Sequence, residues 1–350
     1  MLRISNAILH VFDFESGSTY FSERELDLDN RQAHSYVTRR LRRVLNNAES
    51  KHGEFSPDSD FMGGLKEYLL GQVPFVDFST QIAQWFWEEL RRAEDLEQCD
   101  LLVADFVDTG DMRASKDTSD EDVDAAFEGE GSRKFAVVLL PRKQTFIHEV
   151  DADGNEIVRV DSTLPSPTQK VDSYVVIDAE TMVIDFHDKE RSVAGEGKLI
   201  IPELFLQCTQ TASSHEVVNE VTDIVADVAE EAGLTPAVEI SRAKAALAKR
   251  ADTDEAIVPA EVGREVFEDR PELAERYEER ARQRQLPEEV PMRRGVANRL
   301  TKMHRIKTDT GVEISFPSEL TDRPGYIEFS RETDGSISIT IKNVARIENR

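Results

Sequence analysis

The chain has 350 residues, of which 32% are charged and 39% hydrophobic, and its formal net charge is -26. This composition predicts a soluble globular protein of two or three domains and excludes a wholly disordered chain. The sequence has no apolar run of about 18 residues, so we expect no membrane contact. It also lacks a signal-peptide pattern and a cysteine framework, so we expect a cytoplasmic protein.

The first hundred residues alternate predicted strands with predicted helices. Residues 4–14 have the pattern of a strand, and Asp29 or Asn30 can cap a helix that continues to about Ala48. Short side-chain oxygens favour this cap position because they accept hydrogen bonds from the free amides of a helix start. Residues 73–90 have aromatic side chains at the spacing of a buried helical stripe, and a further strand follows.

The first predicted helix combines an apolar face with an arginine cluster. Val37, Leu41 and Val44 recur at helical spacing and predict its buried side. The arginines surround the other side, where the simplest interpretation is a solvated face and the alternative is contact with DNA phosphates. The cluster consists of Arg39, Arg40, Arg42 and Arg43.

Residues 108–132 form the clearest break in composition. Aspartate and glutamate dominate this stretch, with glycine, serine and threonine between them and few apolar residues. Such a composition predicts a flexible acidic loop. Because strands are predicted on both sides, we interpret it as an insert within a domain rather than a domain boundary.

The remaining segments complete an α+β fold. Residues 134–188 predict an antiparallel meander, and a helical period begins near residue 202. We therefore predict an N-terminal mixed α/β region with this meander, a helical module, and a small C-terminal antiparallel β segment. The expected domains are residues 1–200, 201–286 and 287–350.

The C-terminal region begins with a basic stretch. Residues 290–308 contain no acid, and three segments that alternate apolar and polar residues follow, closed by an Asp334-Gly335 turn typical of a tight hairpin. A basic segment on a small sheet predicts a docking surface for double-stranded DNA, although it could also fold back to neutralise the acidic body. The candidate phosphate contacts are Arg293, Arg294, Arg299, Lys302, Arg305 and Lys307.

Catalytic and metal-binding patterns are weak. Residues 151–156 suggest a calcium loop, but their glycine is fourth rather than sixth, so a hairpin turn is favoured. Asp185 and His187 would share one face of a strand as an acid–base or metal pair, and a nuclease could add Asp172 and Asp178. No completing lysine, phosphate loop, dinucleotide turn or nucleophile elbow is present. We expect no cofactor, no metal and no enzyme.

The order of these segments resembles one known family. The opening ISNAILHVFD, the strands DLLVADFVD, KFAVVLLP and YVVID, and the closing RLTKMHRIKTDTGVEISF and GYIEFSRETDGSISITIKN carry the resemblance. They are similar to the bacterial thirty-seven-kilodalton nucleoid-associated protein family. The resemblance implies a nucleoid-located protein that binds double-stranded DNA and, in some members, interacts functionally with type II topoisomerases. It supplies no catalytic motif, so the DNA-contact residues depend on charge alone.

Three functional hypotheses follow. The first is a nucleoid-associated protein that binds duplex DNA without strong sequence specificity. The alternative is an acidic adaptor, including one in a phage-defence setting, that recruits a basic DNA enzyme. A metal-dependent nuclease using Asp185 and His187 is less favoured. Apolar helix faces and a symmetrical DNA target also predict a homodimer.

Overall fold

A computed structural model of the chain describes residues 2–109, 131–150, 154–252, 256–292, 294–320, 325–332 and 336–346. The described chain forms two compact units, Met1–Thr211 and Ala212–Arg350, which are treated separately below. Helices and antiparallel strands together confirm the predicted α+β class. The division of the second unit into a helical module and a C-terminal β domain stays a prediction. The body of the acidic insert and the Asp334-Gly335 turn lie outside the described residues.

The strands of the first unit are β1 (Leu2–Asp13), β2 (Ser18–Tyr20), β3 (Lys51–Gly53), β4 (Cys99–Asp108), β5 (Ser132–Pro141), β6 (Lys143–Val150), β7 (Asn155–Thr163), β8 (Tyr174–Asp178), β9 (Ile184–His187), β10 (Arg191–Val193) and β11 (Glu196–Lys198). Seven of them form the main sheet, in the order β2-β1-β4-β5-β8-β9-β3, and every neighbouring pair in it is antiparallel. Strands β5, β8 and β9 are antiparallel neighbours within the range of the predicted meander, whereas β6 and β7 form a separate sheet. The acidic insert joins β4 to β5, which pair along their whole length.

Helices cover both faces of this sheet. Because strand side chains alternate, Leu101 and Val103 of β4 belong to one core cluster, and Leu102 and Ala104 belong to the other. The first cluster packs under α2 (Asp60–Leu69), α3 (Phe75–Leu90) and a π-helix (Ile200–Leu206); the second packs under α1 (Arg31–Leu45). Asn30 caps α1 as predicted, accepting hydrogen bonds from the amides of Gln32 and Ala33.

Strands β6 and β7 form a separate two-stranded sheet, here called the β6–β7 ribbon. One residue separates the end of β5 from the start of β6, so the ribbon follows directly from a strand of the main sheet. Antiparallel pairing of Val150 with Asn155 agrees with the hairpin interpretation of residues 151–156, although Asp151, Ala152 and Asp153 lie outside the described residues.

The second unit opens with helices whose ends follow the sequence signals. They are α4 (Ser214–Glu231), α5 (Pro236–Asp252), α6 (Pro259–Val266), α7 (Pro271–Gln283) and α8 (Arg294–Thr301). Ser213 and Glu216 form a reciprocal capping box at the start of α4, and Gly233 ends that helix region with a φ of 69°. The buried Tyr277 hydroxyl donates to the carbonyl of Pro259 at 2.9 Å and so links α7 to α6.

Two hairpins complete the second unit. They are β12 (Met303–Lys307) with β13 (Glu313–Pro317), and β14 (Ile327–Arg331) with β15 (Ile337–Ile341). The three predicted strands correspond to β13, β14 and β15. The basic stretch that precedes them is a helix followed by a fourth strand, α8 and β12. None of the described helices is long and apolar enough to cross a membrane.

Candidate nucleic-acid interface

Strand β12 sorts its side chains by alternation. Arg305 and Lys307 are exposed, whereas His304 is buried and Ile306 is half-buried. In the register with β13, Arg305 lies opposite Ser315 and His304 lies opposite Phe316. Because opposite residues of an antiparallel pair share a face, one face of the hairpin carries the cations and the other packs inward.

Helix α8 and its junction with β12 carry two further exposed cations. Arg299 is exposed on the helix, and Lys302 is exposed at the junction between α8 and β12. The carbonyl of Lys302 accepts a hydrogen bond from the Ser318 amide at 3.0 Å, which fixes the backbone of the junction. We call the exposed side chains of Arg299, Lys302, Arg305 and Lys307 the basic surface. Of the other two predicted contacts, Arg293 lies outside the described residues, and only the backbone of Arg294 is described.

The cations of the basic surface differ in their partners. Arg299, Lys302 and Arg305 form no ion pair within the described part of the chain. Lys307 lies 3.2 Å from Glu313 of β13, and the two side chains are 69% and 71% exposed. An ion pair this exposed contributes little stability, so Glu313 mainly lowers the local positive potential. Glu313 was not predicted as part of the site, because its position opposite Lys307 depends on the register between β12 and β13.

His304 does not add charge to the basic surface. Its ring is buried against Phe316, and neither ring nitrogen finds a hydrogen-bond partner among the described residues. Burial, with a smaller effect from the positive charge of Lys244, lowers the pKa of His304 to about 4. The imidazole is therefore neutral at pH 7.

The arginine cluster of α1 needs one correction. Arg39 and Arg42 are exposed and Arg43 is half-buried, but Arg40 is fully buried. Arg40 was predicted on the solvated face with the other three arginines. It lies instead beside the apolar residues Val37 and Leu41 because the buried stripe of this helix is wider than the hydrophobic residues alone indicate.

Hydrogen bonds explain why Arg40 is buried. Its Nη1 donates to the carbonyl of Gln169 at 2.9 Å, and its Nη2 donates to the carbonyl of Pro165 at 2.7 Å. Its Nε lies 3.3 Å from the Tyr36 hydroxyl, which itself donates to Pro165 at 3.0 Å. Arg40 therefore ties α1 to the loop before β8, and it is not available to a phosphate. The remaining second candidate surface consists of Arg39, Arg42 and Arg43.

The predicted acid–histidine pair is arranged differently from the expectation. Asp185 and His187 lie on one face of β9, as predicted. However, Asp185 Oδ1 lies 2.6 Å from Nδ1 of His52 on β3, within hydrogen-bond distance. His187 lies 3.5 Å from Glu49 instead. Asp178 is engaged by Lys134 at 3.0 Å. Within the described ranges, no three histidine, cysteine or acidic side chains converge as a metal site.

Comparison with known proteins relates the chain to nucleoid-associated proteins. A family model described as "Nucleoid-associated protein YejK" matches residues 8–349. A curated protein named "Nucleoid-associated protein", from Vibrio atlanticus (strain LGP32), is 30% identical over 107 residues. That alignment covers 30% of this chain and 32% of the relative, so it spans about a third of the relative's length.

Proposed function

The chain belongs to the family described as "Nucleoid-associated protein YejK", and from this premise we propose that it binds double-stranded DNA through the basic surface. Its nucleoid-associated role follows from the family itself. The finer proposal is that the contact with DNA is direct and that Arg299, Lys302, Arg305 and Lys307 make it.

One observation carries this proposal, namely the alternation of β12. Arg305 and Lys307 are separated by one inward-pointing residue, so they extend from the same face of a hairpin that Phe316 and His304 anchor to the core. A two-stranded ribbon and a helix are both of a size to enter the major groove of B-form DNA. Cations held this way suit phosphate contact, which positions a protein on the duplex without specifying sequence.

The acidic body limits how the protein can bind. With a net charge of -26, the far field repels DNA, so binding depends on local cations and should be strongly sensitive to salt. With Arg293 and Arg294 included, six phosphate contacts predict a log–log slope of affinity against salt of roughly -5.

The test is duplex binding across a salt series without divalent metal. Replacing Arg299, Lys302 and Arg305 together by glutamine should weaken binding and flatten the slope by about 2.7, since each lost phosphate contact removes about 0.9. The matched control replaces Arg39, Arg42 and Arg43 by glutamine, with the same change of charge. An unchanged slope in the first variant, with a flatter slope in the second, would move the interface to α1.

A second candidate function is an acidic adaptor that recruits a basic DNA enzyme, including a type II topoisomerase. Ion pairs in the helical region favour this function, because they leave fewer arginines there to contact DNA. Arg284, for example, lies 2.8 Å from Glu220 and 2.9 Å from Asp227. An adaptor would show no DNA binding even at low salt. Its partner would stay bound through nuclease treatment and dissociate at high salt.

We also propose that the protein is not an enzyme. Asp185 is held by His52 rather than by a metal-binding partner in the described chain. Incubation with supercoiled plasmid and magnesium or manganese should leave the plasmid intact. Cleavage that is lost on Asp185→Asn would restore the nuclease hypothesis.

A further inference from the structure

The β6–β7 ribbon exposes an apolar face. Phe146, Val150 and Ile157 are 71%, 69% and 76% exposed. Phe146 and Val150 alternate onto one face of β6, and Ile157 joins them there because it lies opposite His148. Isolated two-stranded ribbons are marginally stable in water, and within the described residues this ribbon pairs with no further strand. An exposed backbone edge together with an exposed apolar face is typical of a strand that pairs with a strand of another molecule.

The charges of the ribbon are also unfavourable in isolation. Glu149 lies directly opposite Glu156, and like charges at such positions destabilise a strand pair. Lys143 is exposed at the other end of β6 and points to the same face as Glu149, because the two residues are six positions apart along a regular strand. Strand β6 therefore carries a cation at one end and an anion at the other.

The two edges of the ribbon are not equivalent. Lys143 pairs with Thr163, whereas Thr145 pairs with Val160, so β7 has one more residue than β6 between these pairs. This is a bulge in β7, and bulges obstruct the addition of another strand to an edge. Strand β6 is regular from Lys143 to Val150, so its outer edge is the one open to pairing.

We propose that β6 of one copy pairs antiparallel with β6 of a second copy, joining two ribbons into a four-stranded sheet. A two-fold axis at Phe146 places Lys143 opposite the partner's Glu149, and the symmetry repeats this pair at the other end. Phe146 then lies beside the partner's Phe146, with Cβ atoms about 5 Å apart.

Charge matching identifies the occupant as a second copy. A two-fold axis normal to the sheet pairs only residues of the same face, and Lys143 with Glu149 meets this condition. On β7 the charges of Glu156 and Arg159 point to opposite faces, so no such register matches them. A nucleic acid on the ribbon would meet the anionic Glu149–Glu156 pair. The inference does not depend on the proposed DNA contact, because dimerisation occurs without DNA.

The experiment is sedimentation equilibrium of the full chain without DNA. Lys143→Glu and Glu149→Lys should each raise the dimer dissociation constant at least tenfold, because each creates two like-charge pairs. The double variant should restore it. In one ribbon these residues are about 20 Å apart, so the recovery can come only from pairing between copies. Lys66→Glu, an equal charge change at an exposed site on α2, should leave the constant unchanged.

A second readout fixes the register. Phe146→Cys should form a disulfide-linked dimer under mild oxidation, whereas the wild-type chain and the exposed control Leu70→Cys should not. A wild-type chain that stays monomeric, or a dimer unaffected by either charge reversal, would overturn the proposal. Ribbon variants that weaken DNA binding while the dimer persists would also overturn it and make the ribbon a nucleic-acid arm.

Discussion

Two basic segments of this protein, α1 and β12, have similar compositions and different consequences. In α1, the helical period places Arg40 on the buried side while Arg39 and Arg42 stay in solvent. In β12, alternation buries His304 and leaves its cationic neighbours outside. Each segment therefore turns one polar residue inward, and in α1 this removes one of the four predicted arginines from the surface. What differs is the partner: Arg40 donates to carbonyl oxygens, whereas His304 has no hydrogen bond within the described chain.

The largest expected effect is at Arg40. Arg40→Met keeps a long apolar side chain but removes the donor of the Gln169 carbonyl and one of the two donors of the Pro165 carbonyl, which retains the Tyr36 hydroxyl. Since buried groups that lose charged partners are costly, we expect the free energy of unfolding of the first unit to fall by roughly 3 kcal/mol. Arg40→Lys should also destabilise, because an ammonium group cannot reproduce the planar fork that reaches both carbonyls.

The control is Arg39→Met on the same helix, where exposure predicts a change within about 0.5 kcal/mol. Denaturant unfolding monitored by tryptophan fluorescence suits this comparison because Trp85 and Trp87 both lie on α3 of the first unit. Equal losses at Arg39 and Arg40 would show that the buried hydrogen bonds do not stabilise α1.

The next effect is of opposite sign. His304→Leu should raise the stability of the second unit by about 1–2 kcal/mol, because it replaces buried unpaired nitrogens with an apolar side chain of similar size. His10 provides the contrast: it is also buried, but it accepts from the Ser22 amide at 3.1 Å and contacts Ser79 Oγ at 3.2 Å. His10→Leu should therefore destabilise the first unit. Hydrogen exchange of amides in each unit separates the two results.

The same two histidines predict a dependence on pH. Burial lowers the pKa of His10 and of His304 to about 4, against about 6.5 in the unfolded chain. Between these values the unfolded state binds more protons, so stability falls as pH is lowered from 6.5 towards 4. In the second unit, His304→Leu should flatten this fall. If the stability of the variant falls as steeply with pH as that of the wild type, titratable groups other than His304 cause the fall.

The sequence predicted the features that depend on neighbouring residues, such as a helix and its capping residue. It did not predict the features that depend on partners distant in the chain. Asn30 begins α1 as predicted because the effect of a helix cap is local. The burial of Arg40 depends on carbonyls more than a hundred residues away, at Pro165 and Gln169, which no local pattern reveals.

The candidate site shows the same limit. The basic stretch was predicted as a single charged patch, and no strand was predicted within it. The structure shows that its last part is strand β12, whose alternation turns Arg305 and Lys307 outward and His304 inward. The pairing of Lys307 with Glu313 depends on the register between two strands that a loop joins. The exposure of the β6–β7 ribbon depends on the positions of the other described strands, none of which pairs with it. Both require the assembled fold.

The smallest expected effect is at Glu313, and it bears most directly on the comparison. Lys307 is the one cation of the basic surface for which the described chain supplies an acidic neighbour, at 3.2 Å. Glu313→Gln should tighten duplex binding two- to fivefold at low salt and steepen the salt slope by up to about 0.9, because Lys307 then engages a phosphate in full. Glu328→Gln is the matched control, since Glu328 pairs with Lys342 on the other hairpin and its loss changes the net charge equally. If both variants tighten binding alike, the far field of the acidic protein governs affinity, and the exposed face of β12 has no special part in it. If only Glu313→Gln does so, the phosphate lies at this hairpin, and the strand period rather than the number of cations determines where the protein meets DNA.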